Sequence, residues 1–250
     1  MVTELTFRFA ALLTLAAAGC QAPGSGSVGS QGPSPREQGV SPDEFTLVFL
    51  RAGIDSAVLS DAEATSALNG HYDFMGRLAA QGTMLLAGQF GNNKATNDLR
   101  GLFVLDAASV DSAMAVAAQD PAAKLGIFRQ EAFPLMAPGT LRDLPKMEVA
   151  FDAAREAEGQ DVSLPVLADF VVMVAPDGKD AFRACTHEAL APKVLLLGRL
   201  GEPLDGALFG VFDASDPGEI RARMTVAGFE GEGLQLSQWL ASPALRSLFQ

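Results

Sequence analysis

The chain contains two histidines, and His71 is the one set where proton chemistry is easily built. Ala64, Ala67, Leu68, His71, Met75 and Leu78 follow the i, i+3, i+4, i+7 spacing of an amphipathic helix, so His71 shares the apolar stripe. An imidazole changes charge near neutral pH and can act as general acid or base. A carboxylate on one ring nitrogen fixes the tautomer and leaves the other nitrogen to move a proton; Asp120, just before Pro121, is the candidate partner. The plainer readings are a core histidine with one hydrogen bond and a helix-end turn aspartate. Tyr72, the single tyrosine, would orient a ligand or simply pack. Arg51, at the end of an apolar run, would hold an anionic or phenolate substrate or end a strand in solvent. Cys185 with His187 and Glu188 gives three donors on one short segment, without the fourth ligand or the spacing of a metal site, so no metal is expected. Cys185 reads as a small buried hydrophobe.

These residues belong to a chain with internal self-similarity. Leu85-Leu86-Ala87-Gly88-Gln89-Phe90-Gly91 recurs as Leu195-Leu196-Leu197-Gly198-Arg199-Leu200-Gly201. Each copy leads through a polar turn into an apolar strand ending in Asp-Ala, Leu102 to Ala107 and Phe209 to Ala214. In the first copy the turn holds Asn92-Asn93-Lys94, a hairpin tip and not a phosphate loop, because no helix follows it. Repeats of this kind constrain the fold before any single residue does. His71 and Asp120-Pro121 have no counterparts in the second copy, so one working site is expected.

The order of elements is βαββαβ, twice. Phe45 to Arg51 reads as a strand, Ser60-Asp61 as helix caps, Thr83 to Phe90 and Leu99 to Asp106 as strands, Ser109 as the cap of a second helix ended by Asp120-Pro121, and Ile127 to Leu135 as the fourth strand. The second half gives strands at 167–174, 193–200, 207–213 and 233–240, with helices at 177–190 and from Asp216-Pro217 to Met224. This α+β pattern predicts tandem ferredoxin-like units at 44–136 and 165–250. A bridging segment, 137–164, holds helix-forming residues at Met147 to Glu158. Each unit alone would leave one sheet face bare, so the two sheets are expected to pack face to face as an intrachain, barrel-like pseudo-dimer.

Residues 1–20 resemble a signal peptide: Arg8, an apolar run of about ten residues, then Ala17-Ala18-Gly19-Cys20, which resembles a bacterial lipobox with Cys20 as the lipidated residue. Residues 21–43 read as a flexible Gly/Ser/Pro tether. Gln21 after the cysteine implies the periplasmic face of an outer membrane. The expected location is therefore the bacterial cell envelope, with membrane contact through the anchor alone. A net charge of -12 argues against nucleic acid and against docking on anionic lipid.

Taken together, Phe45 to Arg51, His71, Gly82 to Gly88, Gly101 to Asp106 and Asp120-Pro121 resemble the YCII-related (YciI-like) family over roughly residues 45–135. Gln89 stands where that family usually has Pro. The resemblance implies a dimeric α+β barrel fold and an active site built on a His–Asp pair, here His71 and Asp120. Two functions follow as expectations. The first is a cofactor-free acid/base enzyme, of isomerase, lyase or dehalogenase type, acting on a small aromatic or enol-like molecule, with Arg51 and Tyr72 as substrate-binding residues. The second is a non-catalytic envelope binding module in which His71 only packs.

Overall fold

Among the described residues, apolar runs rich in Leu, Val and Phe and bounded by Gly, Pro and Asp build eight strands, and capped amphipathic segments build the helices between them. The computed structural model describes residues 42–53, 59–90, 98–163 and 165–249. The expected signal peptide, Cys20 and the tether up to residue 41 lie outside the described residues, as does the Asn92-Asn93-Lys94 hairpin tip. In chain order the elements are β1 (Pro42–Ala52), α1 (Asp61–Ala80), β2 (Met84–Phe90), β3 (Leu99–Leu105), α2 (Val110–Ala117), α3 (Pro121–Lys124), β4 (Phe128–Pro138), α4 (Leu144–Ala157), β5 (Ala168–Ala175), α5 (Gly178–Cys185), β6 (Val194–Leu200), β7 (Leu208–Phe212), α6 (Pro217–Val226) and β8 (Gln235–Ala241). Short 3₁₀ turns at Gly139–Asp143, Ala191–Lys193 and Pro243–Phe249 complete them.

All eight strands form one closed antiparallel barrel in the order β1-β3-β2-β8-β5-β7-β6-β4. The barrel that the resemblance implies is present, and strands from its two sides pack face to face in one core. The sheets join edge to edge, through β2–β8 (Gly88↔Ala241, Gln89↔Leu240, Phe90↔Trp239) and β4–β6 (Leu135↔Leu200, Met136↔Arg199). The seams are short, three residue pairs and two, and they close the sheet on itself.

Period-two alternation sorts the side chains. Phe45, Leu47 and Phe49 of β1 point into the barrel, with Phe170 and Val172 of β5, Phe209 and Val211 of β7, and Trp239 of β8. Val48 and Leu50 point outward onto α1 and α2, against Phe74, Met75, Leu78 and Ala117. Val171 and Met173 likewise face α5 and α6. Cys185 lies in this last layer as a buried free thiol, its pKa pushed up to about 12 by burial.

The repeated glycines stand at the two seams. A Cβ on Gly88 would lie 2.4 Å from the Leu240 carbonyl oxygen and 2.5 Å from the Trp239 ring. One on Gly198 would lie 2.5 Å from Leu135 Cδ1. The repeated Asp-Ala also has a structural reason. Asp106 accepts from Arg142 Nε (2.6 Å), and that guanidinium lies 4.7 Å from the centre of the Phe45 ring. Asp213 accepts from Arg246 Nε (2.9 Å), and that guanidinium lies 5.1 Å from the centre of Phe170. In each case an arginine just past a strand clamps the end of another strand onto an aromatic ring.

The bridging segment does more than connect. Leu141 and Leu144 are fully buried in the barrel core with Leu245, and Leu248 joins them, so α4 and the two flanking 3₁₀ turns plug one end of the barrel. The helix there runs from Leu144, a little earlier than the expected Met147. Glu148, in α4, sits against this plug. Its pKa is raised to about 7, first by burial and then by repulsion from Asp152, despite a hydrogen bond with Ser242. Below about pH 4.5 the carboxyl is protonated both folded and unfolded. Between that value and about 7 the folded chain holds the proton and the unfolded chain releases it, so stability falls as pH rises through this window. Glu148→Gln is expected to flatten that slope and to raise stability at pH 8 by about 1–3 kcal/mol, since one pKa unit is worth about 1.4 kcal/mol. Urea unfolding of both proteins at pH 5 and pH 8 checks it; parallel slopes would contradict the assignment.

Candidate functional site

Helix α1 opens on a capping box: Ser60 Oγ accepts from Glu63 N–H, and the Glu63 carboxylate accepts from Ser60 N–H (2.9 Å). This sets the phase of the helix and turns Ala67, His71, Phe74, Met75 and Leu78 inward. The expected stripe is present, with Phe74 added to it. Asp120 is placed by a different device. Helix α2 ends at Ala117, and Asp120 caps the next short helix, α3, where its Oδ1 accepts from Ala122 N–H (2.9 Å) and Pro121 takes the first helical position. The expectation that Asp120-Pro121 simply ends the second helix is refined accordingly.

The cap leaves Oδ2 of Asp120 for His71. The His71 Nδ1 to Asp120 Oδ2 distance is 2.8 Å, and the residues are 4% and 1% exposed. An ionised carboxylate can only accept, so the proton between them belongs to Nδ1. Nε2 makes no hydrogen bond among the described residues. The imidazole is held edge-on by two rings, Tyr72 at 5.3 Å and Phe128 at 5.1 Å between centroids. Burial drives the Tyr72 phenol to stay protonated well above the usual tyrosine range, so it offers a hydroxyl and not a phenolate.

His71, Tyr72 and Asp120 are thus brought together; Arg51 is not. Arg51 shares the inward alternation of Phe49, whereas His71 lies on the helical side of β1 and β4. The Arg51 guanidinium donates to Glu131 (2.5 Å) and Asp98 (2.5 Å). Burial alone would lower its pKa, but these two carboxylates outweigh that and raise it. Its charge is satisfied within the protein, which removes the reason to assign it an anionic substrate beside His71.

Two contributors to the site were missed in the sequence. Gly70 lets α1 approach α3, since a Cβ there would meet the Pro121 ring at 3.0 Å. A glycine directly before the histidine inside a helix was the available signal. Phe128, at the start of β4, supplies an edge to the imidazole and carried no signal beyond being a strand aromatic. Among the described residues no helix is long and apolar enough to cross a membrane.

Compared with known families, residues 45–133 match the YCII-related domain, a span running from β1 into β4 that contains both His71 and Asp120. Compared with curated proteins, the chain matches none.

Proposed function

Residues 45–133 are a YCII-related domain, and from that premise we propose that His71 and Asp120 form a cofactor-free acid/base pair acting on a small aromatic or enol-like molecule. The observation that carries this reading is the 2.8 Å contact from His71 Nδ1 to a carboxylate already immobilised by its own helix cap. With the proton held on Nδ1, the Nε2 lone pair removes a proton from an acidic C–H or O–H of the substrate. The imidazolium so formed is stabilised by Asp120, and Nε2 returns the proton at another atom. In isomerisation the proton returns to another carbon of the same molecule; in elimination, loss of hydrogen halide included, the bond to the leaving group breaks with its electron pair and the proton passes from Nε2 to that group or to water. Asp120 acts as the positioning residue, and Tyr72 supplies a neutral hydroxyl beside it.

Deuterium exchange tests the proposal most directly. A panel of enolisable and phenolic small molecules in D₂O is expected to include one whose carbon-bound protons the chain exchanges. That rate should fall at least 100-fold in His71→Asn, the usual scale of general acid–base assistance. Equal exchange in both proteins favours the second reading, in which the pair is an internal latch between α1 and α3. The 4% exposure of His71 and its packing between two aromatic rings support that alternative.

We further infer that the barrel is a duplication, two βαββαβ units in one chain. The support is the strand order, β4-β1-β3-β2 in one half and β8-β5-β7-β6 in the other, and the two Arg–Asp–Phe clamps. The second unit lacks the His–Asp pair. Attachment to the bacterial envelope through a lipid on Cys20 stays a proposal resting on Ala17-Ala18-Gly19-Cys20; incorporation of a labelled fatty acid in the wild type and in Cys20→Ser is its test.

A further inference from the structure

One end of the barrel is plugged, and the opposite end holds a cavity of about 800 Å³. That volume is in the range that takes a small organic molecule. Its walls come from both halves of the chain. On one side Phe49 stacks with Phe90 at 6.4 Å and meets Phe133 edge-on at 5.9 Å. On the other side stand Val172 and Val174, with Ser237 beside them. His71, Asp120 and Tyr72 do not line it.

The charge at its rim selects the ligand. Among the described residues Arg51 is the one lining cation, and it is spent on Glu131 and Asp98. Glu131 and Asp205 also line the cavity, so carboxylates outnumber the cation and an anion would be repelled. The aromatic wall favours a flat ring, and the Ser237 hydroxyl offers a hydrogen bond.

We propose that this barrel-end cavity is a second binding site, separate from the His71–Asp120 pair, for an uncharged ring-bearing small molecule. It needs no contribution from His71, so it stands whether or not the acid/base reading does.

Trp239 makes the proposal measurable. It is the single tryptophan, fully buried, paired across the seam with Phe90 and two residues along β8 from Ser237, both of which line the cavity. The neutral fluorophore N-phenyl-1-naphthylamine, titrated into the chain, is expected to draw energy from Trp239 saturably and at one site. Ser237→Phe and Val174→Phe fill the cavity from different strands, and each is expected to weaken binding at least tenfold while circular dichroism stays that of the wild type. His71→Asn is expected to leave the affinity within twofold. The anionic analogue 1-anilinonaphthalene-8-sulfonate is expected to bind several-fold more weakly. Absence of saturable transfer, unchanged affinity in whichever filled variants fold, or loss of binding in His71→Asn overturns the second site. Tighter binding of the anionic dye overturns the assigned ligand charge.

Discussion

Gly88→Ala is expected to lower the stability of the barrel by about 3 kcal/mol, the upper part of the range for overpacked cores. The added methyl would meet the Leu240 carbonyl oxygen at 2.4 Å and the Trp239 ring at 2.5 Å. Neither can yield cheaply. The carbonyl belongs to a strand paired on both sides, and the indole is fully buried. The β2–β8 seam must therefore part, although three residue pairs are all that hold it. Gly198→Ala is expected to cost less, about 1–2 kcal/mol, because the nearest atom is the end of the flexible Leu135 side chain. Gly76 provides the control. It lies in α1 with nothing within 4 Å of an added Cβ, so alanine there is expected to stabilise by up to about 1 kcal/mol. Urea midpoints of the three variants order these effects. A Gly88→Ala protein as stable as the wild type would refute the role given to the seam.

Asp120→Ala is expected to cost about 2–4 kcal/mol, because one side chain serves two buried donors. Its loss frees Ala122 N–H at the start of α3, worth about 1 kcal/mol as a helix cap, and leaves His71 Nδ1 buried without its acceptor, worth a further 1–3 kcal/mol. Asp120→Asn should fall between, since its single carbonyl oxygen can serve one donor but not both. A spectroscopic consequence separates this from generic destabilisation. Long-range ¹H–¹⁵N spectra are expected to place the neutral-ring proton of His71 on Nδ1 in the wild type and to show it redistributed toward Nε2 in Asp120→Ala. His187, the other histidine, should not change. An unaltered His71 spectrum would mean that Asp120 does not set the tautomer.

Much of this architecture was legible in the sequence because its signals are local. Ser60, Ser109, Asp216 and Pro217 mark helix starts through bonds made within a few residues. Alternation along 45–51 separates the inward Phe45, Leu47 and Phe49 from the outward Val48 and Leu50. The barrel came with the family resemblance and not from these local signals. It depends on which edges meet, and the glycines that permit the meeting look in sequence like ordinary strand ends. The pairing of His71 with Asp120 followed from the family resemblance; the residues alone offered two plain alternatives. Arg51 lines the barrel-end cavity and not the surroundings of His71, and which carboxylates it meets, Asp98 and Glu131, is a matter of tertiary register.

The plug also gives the barrel a direction. Strand β1 enters at the closed end, where Pro42 pairs with Pro138 beside the Gly139–Asp143 turn, and leaves at the end that holds the cavity. The described chain therefore enters the barrel at its stoppered base. None of the plug residues Leu141, Leu144, Leu245 and Leu248 lines the cavity, so the packing that closes one end and the shape of the space at the other are set by different side chains.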